Sequence, residues 1–406
     1  MLLPEGAAPE ARLLLIGRAL RAFTDGYVAI LLPAYLLVLG LGKWEVGLIS
    51  TATLLGSALM TLAVGQWGHR FPQRRLLLAA AWLMAMTGLS LAGLADFWPL
   101  VIVAFIGTMN PSSGDVSVFL PLEHARLAES AGGDTRTFLF ARYTFIGAFC
   151  AAIGSLATAI PQTLTASGMG QLDALRLMFV AYGLTGVAIF FLYRALPDHQ
   201  ARVQAVPSEP LGPSRSIVVR LAALFSIDAF AGGLVVHTLL ALWLFERFEL
   251  SLAAAGHFFF WAGLLSAGSQ LAAPWVARRV GLINTMVFTH IPSSICLILA
   301  AFADTVPLAL GLLFMRSALS QMDVPTRSAF VMAVVTPAER AAAASFTAVP
   351  RSLAAAASPA IGGALFAAGW LAAPLVACGA LKIIYDIAIW RSFRRHEKQM
   401  APARPS

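Results

Sequence analysis

The sequence predicts an all-α integral membrane protein: twelve transmembrane helices in two pseudo-symmetric six-helix bundles. Three observations carry that expectation. The first is composition. Of 406 residues, 59% are hydrophobic and only 12% charged, and the mean hydropathy is +0.79, whereas a soluble domain is about 25% charged. The second is a succession of apolar runs of about 20 residues, the length a helix needs to cross ~30 Å of hydrocarbon. The third is a polar, proline-rich stretch near the middle, with halves on either side that resemble each other.

The runs centre near 16–40, 45–68, 76–96, 98–121, 139–161, 175–194, 219–244, 252–276, 282–303, 306–334, 342–368 and 371–390. The alternation of a β-barrel is absent. The start, "MLLPEGAAPEAR", has a proline and two glutamates where a signal peptide has a basic region, so no cleaved leader is expected. Cys150, Cys296 and Cys378 fall in apolar runs without a C-x-x-C spacing and read as small core residues, with no metal site and no cofactor.

The net charge of +8 follows topology. With the N-terminus inside, the inward loops and tail hold Arg70, Arg74, Arg75, Arg126, Arg136, Arg202, Arg215, Arg278, Arg279, Arg340, Arg391, Arg394, Arg395 and Lys398. The outward loops hold Lys43, Arg176 and Arg247. This positive-inside bias puts both termini in the cytoplasm and leaves no call for a nucleic-acid partner. The heavy use of arginine, alanine and leucine points to a bacterial inner (plasma) membrane. The partners expected are the lipid bilayer, a small-molecule substrate and H⁺, with the chain acting as a monomer.

The segment "LPDHQARVQAVPSEPLGPSRS" has no helical periodicity and reads as a cytoplasmic linker. It divides the chain into an N-terminal bundle (1–195), a linker (196–217), a C-terminal bundle (218–392) and a cytoplasmic tail (393–406). Asp25 in the first half matches Asp228 in the second. "SSGDV" matches "SQMDV", pairing Asp115 with Asp323, and Arg142 matches Arg351 at a nearly constant offset. Three charged pairs in register mark a duplicated six-helix unit. Intramembrane charges fall on spans 1, 4, 7 and 10, a period of three helices. The exception is Lys382 and Asp386 on span 12, which are spaced to neutralise each other on one helix face.

This plan resembles the major facilitator superfamily. Between spans 2 and 3 that family carries G-x-L-A-D-R-x-G-R-K. Here "GQWGHRFPQRR" keeps Gly65, Arg70 and Arg74, with His69 at the aspartate and Pro72 at the second glycine. "PWVARRVGLIN" repeats it between spans 8 and 9, with Arg279 and Gly281 kept and Arg278 at the acidic place. The drug-antiporter string G-P-x-x-G-G is missing from span 5; "SPAIGG" lies on span 11. The resemblance implies a central cavity lined by spans 1, 4, 7 and 10, a conformational latch at the cytoplasmic motif, and no enzymatic activity.

"GTMNPSSGDV" places Asn110, Pro111, Ser112, Gly114 and Asp115 within span 4. A charge at bilayer depth costs about 2.5–3.5 kcal/mol or more unless it meets a partner or water. Broken backbone is tolerated only where protein or a wet cavity satisfies it. Substrate-cavity candidates are therefore Arg21, Asn110, Ser112, Arg316, Ser320, Asp323 and Arg327, the last four forming one stripe on span 10. Asp323 serves either as part of an anion cradle or as a partner for an arginine, and Arg21 lies four residues before Asp25 as a possible self-paired couple. Candidates for carrying a coupling proton are Asp25, Asp115 and Asp228. Candidates for a cytoplasmic gate are His69, Arg70, Glu123, Arg142, Arg279, Arg340 and Arg351; for Glu123, Arg142, Arg340 and Arg351 the alternative is a solvated interface. His237, His257 and His290 share no ligand spacing and read as core or cavity residues. The sequence has no P-loop, nucleophile elbow or zinc motif. The function expected is a secondary active transporter of a small organic solute, proton-coupled and working by alternating access. The rivals are an uncoupled facilitator and a non-transporting receptor or assembly protein on the same fold.

Overall fold

The structure, a computed structural model, describes residues 8–112, 117–131, 133–197, 211–336 and 339–400. Every regular element among them is helical. Spans 1 to 3 are α1 (Glu10–Val38), α2 (Lys43–Trp67) and α3 (Gln73–Gly93). Span 4 is divided into α4 (Phe97–Ile106) and α5 (Phe119–Glu129). Span 5 is α6 (Gly133–Leu156) followed by a 3₁₀ turn and α7 (Ile160–Ala166), and span 6 is α8 (Gln171–Arg194). In the second half, span 7 is divided into α9 (Arg215–Gly233) and α10 (His237–Phe248). Spans 8 and 9 are α11 (Leu252–Val280) and α12 (Leu282–Ala301). Span 10 is divided into α13 (Val306–Ser320) and α14 (Asp323–Val334), and α15 (Arg340–Ala367) and α16 (Ala373–Met400) complete the chain.

Nine helical segments among the described residues are long and apolar enough to cross a membrane. Spans 4 and 10 fall short because they are broken. Span 11 is long but rich in alanine, with Arg351 and Pro359 inside it. Spans 4, 7 and 10, three of the four expected to line a cavity, are each divided by non-helical residues, each for a local reason. In span 4 the chain turns extended at Gly107 (ψ 178°), ahead of Asn110 and Pro111. In span 7 it does so at Val236 (ψ 160°) after Gly232 and Gly233. In span 10, Pro325 stands in the first turn of α14, where its missing N–H has no helical partner to lose.

The helices group into two compact units. The first comprises Met1–Val203, Val236–Gly263 and Pro359–Ala368; the second comprises Gln204–Val235, Leu264–Ser358 and Gly369–Ser406. The first unit is therefore the N-terminal half together with α10, the start of α11 and the end of α15. Its core runs along α1 against α6 and α8, and along α3 against α8. The α3–α8 contact is a small-residue seam: a Cβ added at Gly88 would lie 2.6 Å from the Phe179 carbonyl oxygen and 2.7 Å from the Gly183 Cα. Such close backbones gain dispersion where burial from lipid offers little.

In the second unit, α12 is central and packs on α16, α13 and α14, while α9 packs on α16. Its apolar core includes Phe225, Met286, Phe330, Tyr385, Ile389 and Phe393. At the N-terminus of α9, the Gly212 N–H donates to the Glu339 carboxylate, which also accepts from the Thr336 hydroxyl at 2.8 Å. Those bonds, with one from Ser214, hold the Glu339 carboxyl below the usual glutamate range. Glu339 lies between α14 and α15, outside the spans.

Candidate functional site

In the first unit the charged residues of α1 have separate fates. Arg21 does not pair with Asp25. Its guanidinium makes a two-pronged contact with Glu123 of α5, with Nη2 at 2.9 Å from Oε2, and lies 4.1 Å from the centre of the Phe119 ring. The Tyr143 and Tyr193 hydroxyls donate to the same carboxylate. Glu123 is fully buried, at 0% exposure, so it is not part of a solvated interface. Its four donor contacts come from α1, α6 and α8, which it ties together inside one bundle.

Asp25 is also buried, and the cations acting on it are Arg21 and Arg18. No hydrogen bond or ion pair reaches its carboxylate among the described residues. Asp115 lies outside the described residues.

The broken region of span 4 is held by α10. Asn110 accepts through its side-chain oxygen from the Ser112 N–H at 3.0 Å and from the Ser112 hydroxyl at 2.9 Å. The Pro111 carbonyl accepts from the Thr238 N–H and hydroxyl, each at 3.1 Å. The Ser112 carbonyl lies 2.5 Å from His237 Nδ1. The N-terminal turn of α10, whose N–H groups have no helical acceptors, thus receives the carbonyls that the break in span 4 releases. Both irregularities are satisfied together, and His237 acts in that contact. Nearby, Thr238 also donates to the Ala29 carbonyl at 2.9 Å, Ser155 to the Gly256 carbonyl at 3.0 Å, and Thr51 accepts from the Ala360 N–H at 2.9 Å. Lys43 and Glu246 form an ion pair at 2.6 Å.

The second unit holds a larger charge cluster. Arg327 of α14 reaches Asp228 of α9 at 3.1 Å and Asp323 of its own helix at 2.5 Å. Its guanidinium lies 5.4 Å from the centre of the Phe225 ring. The Lys382 ammonium of α16 reaches the other Asp228 oxygen at 2.6 Å and lies 3.4 Å from His290 Nε2 of α12. His290 Nδ1 meets Asp386 of α16 at 3.0 Å. Lys382 and Asp386 therefore do not neutralise each other along the helix: Asp228 and His290 offer each a partner on another helix. Asp228, Asp323, Asp386, Arg327 and His290 are all buried. Arg316, on α13, has no ion pair among the described residues, and Ser320 ends that helix half-buried.

The gate candidates have separate local settings within their own units. His69 and Arg70 are exposed in a 3₁₀ turn. Arg279 stacks 3.9 Å from the centre of the Trp275 ring, and Arg340 donates to the Met332 carbonyl at 3.2 Å. Arg142 keeps a buried nitrogen without a partner among the described residues, and Arg351 is exposed.

Tyr143 and Tyr193 belong to the cluster of the first unit without having stood out in the sequence, and His290, read there as a core or cavity residue, belongs to that of the second. Lys382 and Asp386 did stand out, as charges off the three-helix period. Among the described residues no group of acidic, histidine and cysteine side chains has the makings of a metal site.

Comparison with known proteins fits this architecture. Residues 14–322 match the model of the Major Facilitator Superfamily, and the chain belongs to that family. It is a membrane transporter, not an enzyme. It is 22% identical to an uncharacterized membrane protein of Saccharomyces cerevisiae, YJR124C, over 367 residues, 82% of each chain. Among solved structures, a bacterial homologue of the human lysosomal transporter Spinster, inward-facing and occupied, superposes with a TM-score of 0.76 at 13% identity. The match covers 97% of this chain and 98% of that one. The nucleoside transporter NupG superposes at 0.72 with 15% identity, covering 95% and 99%. At these identities the likeness is one of fold.

Proposed function

We propose that this transporter is a proton-coupled secondary carrier of a small organic anion, with Asp25 carrying the coupling proton. The observation behind the reading is the contrast between two aspartates at repeat-equivalent places. Asp228 is clamped by Lys382 and Arg327, so its charge is balanced, and removing it would strand Lys382 and leave Arg327 with Asp323 alone. Asp25 has no such clamp. A buried carboxylate held by no hydrogen bond or ion pair among the described residues is costly to keep as an anion, so it suits a group that loads and unloads a proton.

Arg316 supports the anionic class of solute. Arg327 is engaged by two carboxylates, which leaves Arg316 as the stripe arginine with no acid on it among the described residues. A guanidinium so placed matches a carboxylate or phosphate of the solute. The structural neighbours include a nucleoside transporter and a xylose transporter, so the chemistry of these residues is the better guide. Alternating access, with Arg142 and Arg351 at the gate, and a monomer in an inner membrane with both termini cytoplasmic complete the reading.

The test is solute-driven proton movement. Proteoliposomes enclosing a pH-sensitive dye are exposed to a panel of organic carboxylates and phosphate esters. Acidification or alkalinisation that accompanies uptake supports coupling. Uptake of a solute without any pH change, at zero membrane potential, would reduce the protein to a facilitator.

A further inference from the structure

The first turns of α9 carry a charged face that the transport reading does not use. Arg215, Ser216, Val219, Arg220, Ala223 and Ile227 are exposed. At about 100° per residue they fall within one arc of about 140° on the helix. The same face borders a groove of about 620 Å³, lined by Gly212, Arg215, Ser216, Val219, Arg220 and Ala223. The face is graded along the axis. Both arginines and the serine lie at its start, with Val219 between them, and Ala223 and Ile227 continue it as an apolar strip. Ile227 lies about 18 Å further along the helix than Arg215.

Neither guanidinium has an ion pair or a side-chain hydrogen bond among the described residues. The acid beside the groove, Glu339, takes the Gly212 N–H and the Thr336 hydroxyl, so its oxygens are already engaged. Two cations at the head of an apolar strip match a molecule with an anionic head and an apolar tail, and a membrane protein is surrounded by such molecules. We propose that this groove binds an anionic phospholipid from the leaflet at the start of α9. Arg215 and Arg220 hold the phosphate, Ser216 donates a hydrogen bond to it, and an acyl chain lies along Val219, Ala223 and Ile227.

The positive-inside bias accounts for exposed arginines at a helix end, but not for a groove beside them or for the apolar strip that leads away from it. A free inorganic anion would use the arginines and leave the strip without a partner. A guanidinium presents its donors in a planar fork that suits a phosphate, so the pair selects by head group. Phosphatidylglycerol offers a phosphate with no cation of its own. Phosphatidylcholine brings a quaternary ammonium into the same groove, against two like charges. Lipid binding here is independent of the solute and of proton coupling.

The experiment uses the full chain in nanodiscs, with the three native cysteines replaced and a bimane fluorophore on Ile227→Cys, or on Ala223→Cys should the first fail to fold. The host phosphatidylcholine is replaced stepwise by phosphatidylglycerol or phosphatidylcholine with brominated chains, and quenching gives the relative affinity of the two lipids at that place. An arginine near an anionic head group contributes about fivefold, so the two give phosphatidylglycerol a preference of about 25-fold, which falls as salt is raised. Arg215→Gln with Arg220→Gln should remove the preference, and Arg215→Lys with Arg220→Lys should keep most of it. Arg12→Ala with Arg75→Ala takes two exposed charges from the first unit and should leave it unchanged. Absent or equal quenching by the two lipids overturns the site. So does a preference that survives the double glutamine variant or disappears with Arg12→Ala and Arg75→Ala. A preference abolished by inorganic phosphate at constant ionic strength reassigns the groove to a free anion. One that emerges only in Asp198→Asn with Glu209→Gln reassigns it to acids of the linker, and either result overturns the lipid.

Discussion

Gly47 offers a direct way to move the contact between α2 and the end of α15. A Cβ at Gly47 would lie 2.6 Å from the Pro359 carbonyl oxygen, 2.8 Å from the Gly363 Cα and 3.0 Å from the Gly363 nitrogen. All three are backbone atoms, so no side chain can rotate away. Carbon neighbours settle near 3.5–4.0 Å, and even alanine requires the two backbones to part by roughly 1 Å. Tryptophan requires far more. Overpacking of this kind costs about 1–3 kcal/mol. The contact it opposes is held by modest forces: the hydrogen bond from the Ala360 N–H to Thr51 contributes about 1 kcal/mol, and beside it the part-exposed pair of Lys43 with Glu246 of α10 about 0–1 kcal/mol.

A strain of about 1–3 kcal/mol shifts a two-state population about 5- to 150-fold. Gly47→Trp should expose surfaces that are now closed. The assay is labelling of Ala29→Cys, a site 1% exposed, by an impermeant maleimide outside intact cells, with the three native cysteines replaced. The labelling rate should rise within that range. An unchanged rate in a protein that still folds would show that this contact is static and does not open during transport.

Other outcomes follow from the same geometry. Glu123→Ala strands Arg21 and two tyrosine hydroxyls in the first unit and should cost about 3–5 kcal/mol in denaturant unfolding, with Glu123→Gln less damaging. Phosphatase fusions after Ser167 should be active and those after Pro197 silent, which tests the orientation drawn from the arginine asymmetry. Glu339 carries a carboxyl held below its ordinary value, so its contribution is complete above the unfolded-state value of about 4.3 and disappears as pH falls through the lower folded value. Hydrogen exchange at the Gly212 amide should stay slow through the usual glutamate range and lose protection only below it; Glu339→Ala, which removes the acceptor, should lose that protection throughout.

Hydropathy and the positive charges delineate the helical class and the twelve spans, because burial in lipid is a bulk requirement that composition cannot conceal. The break in span 4 is legible in Asn110 and Pro111. The break in span 7 rests on a less specific glycine pair. Side-chain partnerships were harder to read. Three couples spaced four apart lie within the spans: Arg21 with Asp25, Asp323 with Arg327, and Lys382 with Asp386. Only the second forms. Helical spacing makes such contacts possible, but a buried charge takes whichever partner satisfies it best. For Arg21 that is Glu123, about a hundred residues away, and for Lys382 it is Asp228. His290 gave no sequence signal of a place in the cluster because that place comes from Asp386 and Lys382 meeting it on the same face. Legible in the sequence was the symmetry of Asp25 with Asp228; the opposite environments of the two were not.

That asymmetry is best tested by Asp25→Asn. In proteoliposomes with an imposed pH gradient, the variant should lose concentrative uptake of a solute identified by the proton-movement screen. It should retain equilibrium counterflow of the same solute, since exchange needs no net proton transfer. Asp228→Asn, measured in the same preparation, should impair both, because it leaves Lys382 and Arg327 short of a carboxylate. Accumulation by Asp25→Asn at the native level would contradict the account and remove Asp25 from the coupling step.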